Sequence, residues 1–154
     1  MPSVSAGILL YRRERGLLVL LAHFGGPYWR RKDLGAWSIP KGELAPGEEP
    51  EAAARREFRE ELGAPAPAAL ITLGEIRQSG GKLAYVFAAE GEFDVTRLRS
   101  NSFTIEWPPK SGRMQSYPEV DRVEWFSLEV AEQKILASQR PLLARLTEML
   151  ARDK

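Results

Sequence analysis

Residues 42–64 read GELAPGEEPEAAARREFREELGA, and the periodicity of this stretch decides the fold. From Pro50 onward it predicts a helix. Pro50 suits the first turn and Gly63 the position just past the last, while Glu49 is a mediocre N-cap. Ala54, Phe58 and Leu62 recur at i, i+4 and i+8 as one apolar row. Beside that row Glu57, Glu60 and Glu61 share an arc of roughly 100°. One flank of the helix is therefore expected to bury and the next to face a site. Like charges this close repel, so the arrangement costs stability by itself. A divalent cation such as Mg2+ would remove that cost, because hard cations take oxygen ligands and keep positions open for water and phosphate.

Working outward, Ser3–Arg12 and Leu17–His23 read as strands that pair around a turn at Glu14–Gly16. Phe24–Gly35 is a loop, Ala36–Pro40 a short extended piece, and Gly42–Glu49 a turn-rich loop through Pro46-Gly47. Beyond the helix, Ala69–Gln78 and Lys82–Glu90 read as strands around Ser79-Gly80-Gly81. Phe93–Arg99 reads as loop or short helix, Phe103–Trp107 as a strand stopped by Pro108-Pro109, and Lys110–Glu119 as polar and turn-like. Arg122–Phe126 is a further strand, and Leu128–Ala137 and Arg140–Arg152 are helices. Strands mixed with a few helices predict an α/β layered domain around a mixed sheet, with the strand order left open.

Bulk properties bound the function. The chain has 154 residues, enough for one domain with a proper core, so residues 1–154 are expected to form a single domain. Net charge is +1, which gives no overall basic field and no strong nucleic-acid signal. The absence of cysteine excludes disulfides, thiolate metal sites and cysteine nucleophiles, and suits a reducing, cytoplasmic setting. The N-terminal apolar run is too short to span a membrane and no basic leader precedes it.

The spacing Gly42, five residues, Glu48, seven residues, Arg56-Glu57-Phe58, one residue, Glu60-Glu61, one residue, Gly63 resembles the signature of the Nudix hydrolases. All its charged and glycine positions match. Phe58 and Ala64 stand where a bulky aliphatic is usual, which changes packing and leaves the chemistry intact. WSIPKG at Trp37–Gly42 is similar to the subgroup that cleaves dinucleoside polyphosphates, although it occurs more widely.

The resemblance implies a Nudix-type α/β/α sandwich and a pyrophosphohydrolase. Glu57, Glu60 and Glu61 would bind Mg2+ or Mn2+, with Glu57 also a candidate to orient or deprotonate the attacking water. Arg56 would position a carboxylate of the set, and Glu48 would brace the loop through it. Gly42 and Gly63 would allow tight backbone turns. The cation would screen the anionic pyrophosphate and stabilise the leaving oxygen. For an acid from outside this signature Glu119 is the choice, with Asp121 and Glu124 competing.

Lys41 looks like a phosphate ligand. Tyr28, Trp29 and Arg30, with Arg31 and Lys32, either stack a base and hold phosphates or plug the domain edge, and Trp107 is placed on the opposite wall. Exposed aromatics often mark interfaces, so a dimer contact is a further reading, and both monomer and homodimer stay open.

Taken alone, a Glu/Arg-rich helix is usually a solvated face laced with pairs such as Arg56–Glu60 and Glu51–Arg55. His23 reads as a hydrogen-bonded structural residue and Gly25-Gly26 as a turn. The expected activity is cleavage of a phosphoanhydride in a small-molecule nucleotide, a dinucleoside polyphosphate foremost. Nucleoside triphosphates, nucleotide sugars, dinucleotide cofactors and RNA 5′ ends are alternatives. A ligand-sensing Nudix domain without turnover is the alternative of another class; it should have lost a carboxylate of the signature or carry a fused domain.

Overall fold

The first strand sorts its side chains to two faces, and this sorting organises the molecule. In the computed structural model, residues 3–152 are described; Met1, Pro2, Asp153 and Lys154 of the expected 1–154 domain lie outside the described residues. Along β1 (Val4–Arg13), Ala6, Ile8 and Leu10 enter one apolar core and Leu9 and Tyr11 the other, as the two-residue period of a strand requires. The first core is closed by α1 (Pro50–Leu62) through Ala53, Ala54, Phe58 and Leu62. The second is closed by α2 (Leu128–Lys134) and α3 (Pro141–Arg152) through Ala131, Leu142, Leu143, Leu146 and Met149. The result is an α/β/α sandwich.

The sheet is mixed. β1 pairs in parallel with β6 (Leu83–Glu90), and β5 (Ile71–Arg77) lies antiparallel on the far side of β6. On its other side β1 turns at Glu14–Gly16 into antiparallel β2 (Leu17–Phe24), whose outer edge carries β9 (Val120–Ser127). The β1–β2 ladder covers only Tyr11–Arg13 with Leu17–Val19. Beyond it the two strands part, and residues 37–43 fill the gap. β3 (Trp37–Ser38) pairs with Ala22 and His23, and β4 (Lys41–Glu43) pairs with Ser5–Gly7. This wedge brings the start of the 42–64 stretch against the sheet.

α1 begins and ends as its sequence predicts. Pro50 lies in the first turn, Glu49 makes no side-chain cap, and Gly63 ends the helix at φ 86° with its amide on the Arg59 carbonyl. Phe58 and Leu62 are fully buried, worth about 1.5–3 kcal/mol each by the area they remove from water.

Three sequence expectations are corrected. Lys110–Glu119 is not simply turn-like: Met114–Pro118 forms β8 and pairs antiparallel with β7 (Ser102–Glu106) as a separate two-stranded ribbon. Its polar composition hid it, because a solvated ribbon shows no apolar alternation. The turn-rich loop placed at Gly42–Glu49 begins inside β4, whose pairing with β1 is non-local. The helix expected to reach Ala137 stops at Lys134, where Ile135 turns extended to bridge Trp37, and a 3-10 turn follows at Ala137–Gln139. No helix among the described residues is long and apolar enough to cross a membrane.

Candidate active site

Two carboxylates from distant parts of the chain, Glu61 and Glu119, line one cavity, and Glu57 lies one helical turn from Glu61. Glu57 and Glu61 lie on the half of α1 that faces β4, and both are nearly buried. A cavity of about 180 Å3 is lined by Ala22, Phe24, Ser38, Ile39, Lys41, Glu61, Glu119 and Val120. Its walls come from β2, the 37–41 wedge, α1 and the start of β9, so the parting of β1 from β2 creates it. Glu119 sits between β8 and β9. Its amide donates to the Asn101 carbonyl (2.8 Å) and its carbonyl accepts from Gly25 N (2.9 Å).

Burial and like charge dominate the electrostatics of these carboxylates. Burial, then the charges of Glu57 and Glu119, push Glu61 up to about 9 despite Lys41 nearby. Glu57 is raised by burial, with Arg56 opposing, and Glu119 is raised by burial and by Glu57 and Glu60. Lys41 is lowered, first by its own burial and then by Lys82. These are carboxylates removed from water beside one another, the case in which ionisation needs an added positive charge.

Arg56 is the hub on the outer side. It binds Glu48 through two nitrogens, Nε to Oε2 and Nη2 to Oε1, each at 2.9 Å. Its Nη1 donates to Glu57 Oε2 (2.8 Å) and Glu60 Oε2 (3.1 Å), and Nη2 also donates to the Glu43 carbonyl (3.0 Å). Glu48 in turn accepts from Ala45 N at 2.9 Å and is held down at about 2, by Arg56 first. The loop before α1 is thus tied to the helix by bidentate, charge-assisted bonds. The solvated-face pair Glu51–Arg55 is also present.

The donor set suits a hard divalent cation. Every group is a carboxylate oxygen, and Glu57 and Glu60 each give only Oε2 to Arg56. Among the described residues no three histidine, cysteine or acidic side chains are gathered into a set that could hold a metal ion.

The other sequence-selected residues divide. Lys41 reaches the cavity. Tyr28 and Trp107 are not on opposite walls: their rings meet edge to face at 5.0 Å. Trp29 packs on Phe24 at 4.6 Å and against the second core, with Lys32 over its ring, so it plugs the edge. Arg30 is exposed. Asp121 is taken by His23, whose Nδ1 lies 2.7 Å from its carboxylate while Nε2 donates to the Lys32 carbonyl (2.6 Å). His23 is fully buried.

Two features escaped the sequence. Lys82 and Arg140 join Lys41, Ser79 and Ser138 around a neighbouring groove of about 490 Å3. Buried Gln139 holds the wedge, accepting from Ile39 N (3.0 Å) and donating to Ser38 Oγ (2.9 Å). Both unite residues from distant segments, and no local pattern marks them.

An α/β/α sandwich whose signature helix sets carboxylates against a lysine-lined cavity defines a hydrolase of pyrophosphate bonds. The NUDIX domain family model matches residues 1–146, and the chain belongs to that family. An RNA pyrophosphohydrolase of Rhodospirillum rubrum is 29% identical over 159 residues, covering 97% of this chain and 93% of that one. A binary complex of a C. elegans Ap4A hydrolase superposes with a TM-score of 0.66 at 24% identity, over 96% of this chain and 98% of the other. The NUDIX domain of Shewanella oneidensis NrtR, complexed with ADP ribose, gives 0.68 at 19% identity, over 97% and 89%.

Proposed function

We propose that the chain is a Mg2+- or Mn2+-dependent hydrolase acting in the cytoplasm on a phosphoanhydride bond of a nucleoside diphosphate derivative, with a dinucleoside polyphosphate as the favoured substrate. The observation that carries this reading is the meeting of Glu61 and Glu119 with Lys41 at one cavity, beside Glu57, whose charge raises both carboxylates while burial raises all three. Glu57, Glu60 and Glu61 would hold the cation, with Glu119 contributing from across the cavity. When bound, the cation screens the phosphate charge and acidifies water.

The chain's own residues do the rest. Glu57 orients the attacking water and receives its proton. Arg56 fixes Glu57 and Glu60 on one side, and Glu48 fixes Arg56. Lys41, shared by the cavity and the groove of Lys82 and Arg140, neutralises phosphate on the leaving side. A basic groove beside an acidic cavity suits a chain of phosphates longer than one. The names of the relatives, an RNA pyrophosphohydrolase and an Ap4A hydrolase, support a nucleotide polyphosphate.

The test is product identification from diadenosine tetraphosphate, nucleoside triphosphates, ADP-ribose and triphosphorylated RNA, each with and without Mg2+. Metal-dependent cleavage abolished by Glu57→Gln and Glu61→Gln, in folded proteins, is the expected result. Hydrolysis in oxygen-18 water identifies the phosphorus attacked. A folded wild-type protein that consumes none of these compounds with Mg2+ or Mn2+ sinks the reading.

A further inference from the structure

We infer that the β7–β8 ribbon and the loop after β2 form a subsite for the second nucleotide of the substrate. The ribbon has two faces. Phe103 pairs with Tyr117 and Ile105 with Gln115, and Trp107 N donates to the Arg113 carbonyl (2.9 Å), which closes the ladder. Residues opposed in an antiparallel pair share a face, so Phe103, Ile105, Trp107, Arg113, Gln115 and Tyr117 lie on one side. That side is turned to the loop. Phe103 occupies the space a side chain on Gly26 would need, at 2.7 Å, and Trp107 meets Tyr28.

The ribbon joins the cavity at its foot. Pro118, the last residue of β8, presses its carbonyl on Gly25, and Glu119 follows directly. Phe24 and Glu119 line the cavity, and Trp107 stands five residues along the ribbon from Ser102, which pairs with Pro118 at the foot, so the aromatic pair lies about 17 Å out from the cavity.

The chemistry of this surface is specific. Tyr28 is 55% exposed although it touches Trp107, which leaves much of its ring open. Arg30, Arg31, Lys110 and Arg113 form no ion pair among the described residues. An aromatic pair set among unpaired cations matches a base with its phosphates, because every base offers a π-face and the phosphates offer charge. The net charge of +1 conceals this, being a sum over the whole chain. The occupant is the distal half of a dinucleoside polyphosphate: the base on Tyr28 and Trp107, the distal phosphates on Arg113 and Arg30. This placement rests on the cavity being where the phosphoanhydride is cut.

The experiment compares diadenosine tetraphosphate with adenosine 5′-tetraphosphate, which has the same phosphate chain and one nucleoside. Wild type should favour the former by roughly tenfold or more in kcat/KM, within the range of base stacking on aromatic side chains. In Trp107→Leu and in Arg113→Gln that ratio should collapse towards one, carried by KM. Tryptophan fluorescence titration without divalent ion gives the same comparison as a Kd, independent of turnover. Equal affinity for the two compounds overturns the subsite, as do variants that weaken both in proportion. A preference confined to triphosphorylated dinucleotide RNA, or a Trp107-dependent dimer in sedimentation, also overturns it. Loss of turnover with the binding preference intact would instead strike the hydrolase reading.

Discussion

A methyl group placed on Gly42 would come within 2.1 Å of the Glu57 carboxyl carbon. The backbone of β4 and the carboxylate of α1 therefore occupy adjoining space that only glycine leaves free, and Glu57 is set in position by what residue 42 lacks. Gly42→Ala forces Glu57 aside or β4 off β1. Turnover should fall by about two orders of magnitude or more, the scale of losing one preorganised charge, with a much smaller loss of stability, because the group displaced is the far end of a flexible side chain. Steady-state kinetics beside thermal unfolding check this. A variant as active as wild type would show that Glu57 has room to spare.

Arg56 should not be replaceable by lysine. Its guanidinium engages Glu48 with two nitrogens while Nη1 spans Glu57 and Glu60, a planar fork that a single ammonium does not reproduce. Arg56→Lys should retain the charge and the fold yet lower kcat by roughly ten- to a hundredfold, as misplacement of a catalytic group does. Full activity in the lysine variant would reduce Arg56 to a counter-charge.

The pH dependence follows from Glu61. Below its ordinary 4.5 the group is protonated in folded and unfolded chains alike; between 4.5 and about 9 the unfolded chain releases the proton and the folded chain keeps it. The folded state then binds more protons, so the metal-free protein should lose stability as pH rises through that window. Mg2+ displaces the proton, so its stabilising effect should grow with pH. Melting temperatures from about pH 5 to about pH 9, with and without Mg2+, measure both trends. Glu61→Gln should flatten the metal-free slope, and a wild-type profile already as flat would show that Glu61 is ionised.

What the sequence disclosed was local. α1, its caps, its buried row and its carboxylates all follow from spacings within one helix, where period and partner lie a few residues apart. Glu119 was named from its place before Trp125, and it does line the cavity. The hidden parts are pairings across the chain. Which strands flank β1, where the 37–43 segment wedges, and the approach of Lys82 and Arg140 to Lys41 depend on topology. β8 was missed because Met114–Pro118 is polar and solvated on one side, so its partner, not its composition, makes it a strand. Trp29 shows the converse: its residue type invited a ligand, and its neighbours make it a plug.

Gln139 carries the last prediction. It is fully buried, and its amide joins the Ile39 amide nitrogen and the Ser38 hydroxyl, which itself donates to the Ile39 carbonyl. This cluster seats the wedge beside the cavity from 100 residues away in sequence. Gln139→Leu keeps the volume and removes both bonds, leaving a buried backbone donor unsatisfied at a cost of about 1–3 kcal/mol. For a domain of this size that corresponds to a fall of several degrees in Tm. Ser38 and Ile39 line the cavity, so KM for the nucleotide should rise in the same variant. Calorimetry and kinetics on one preparation give both numbers. Unchanged melting would mean that water replaces the lost partner and that the wedge is held by its strand pairing alone.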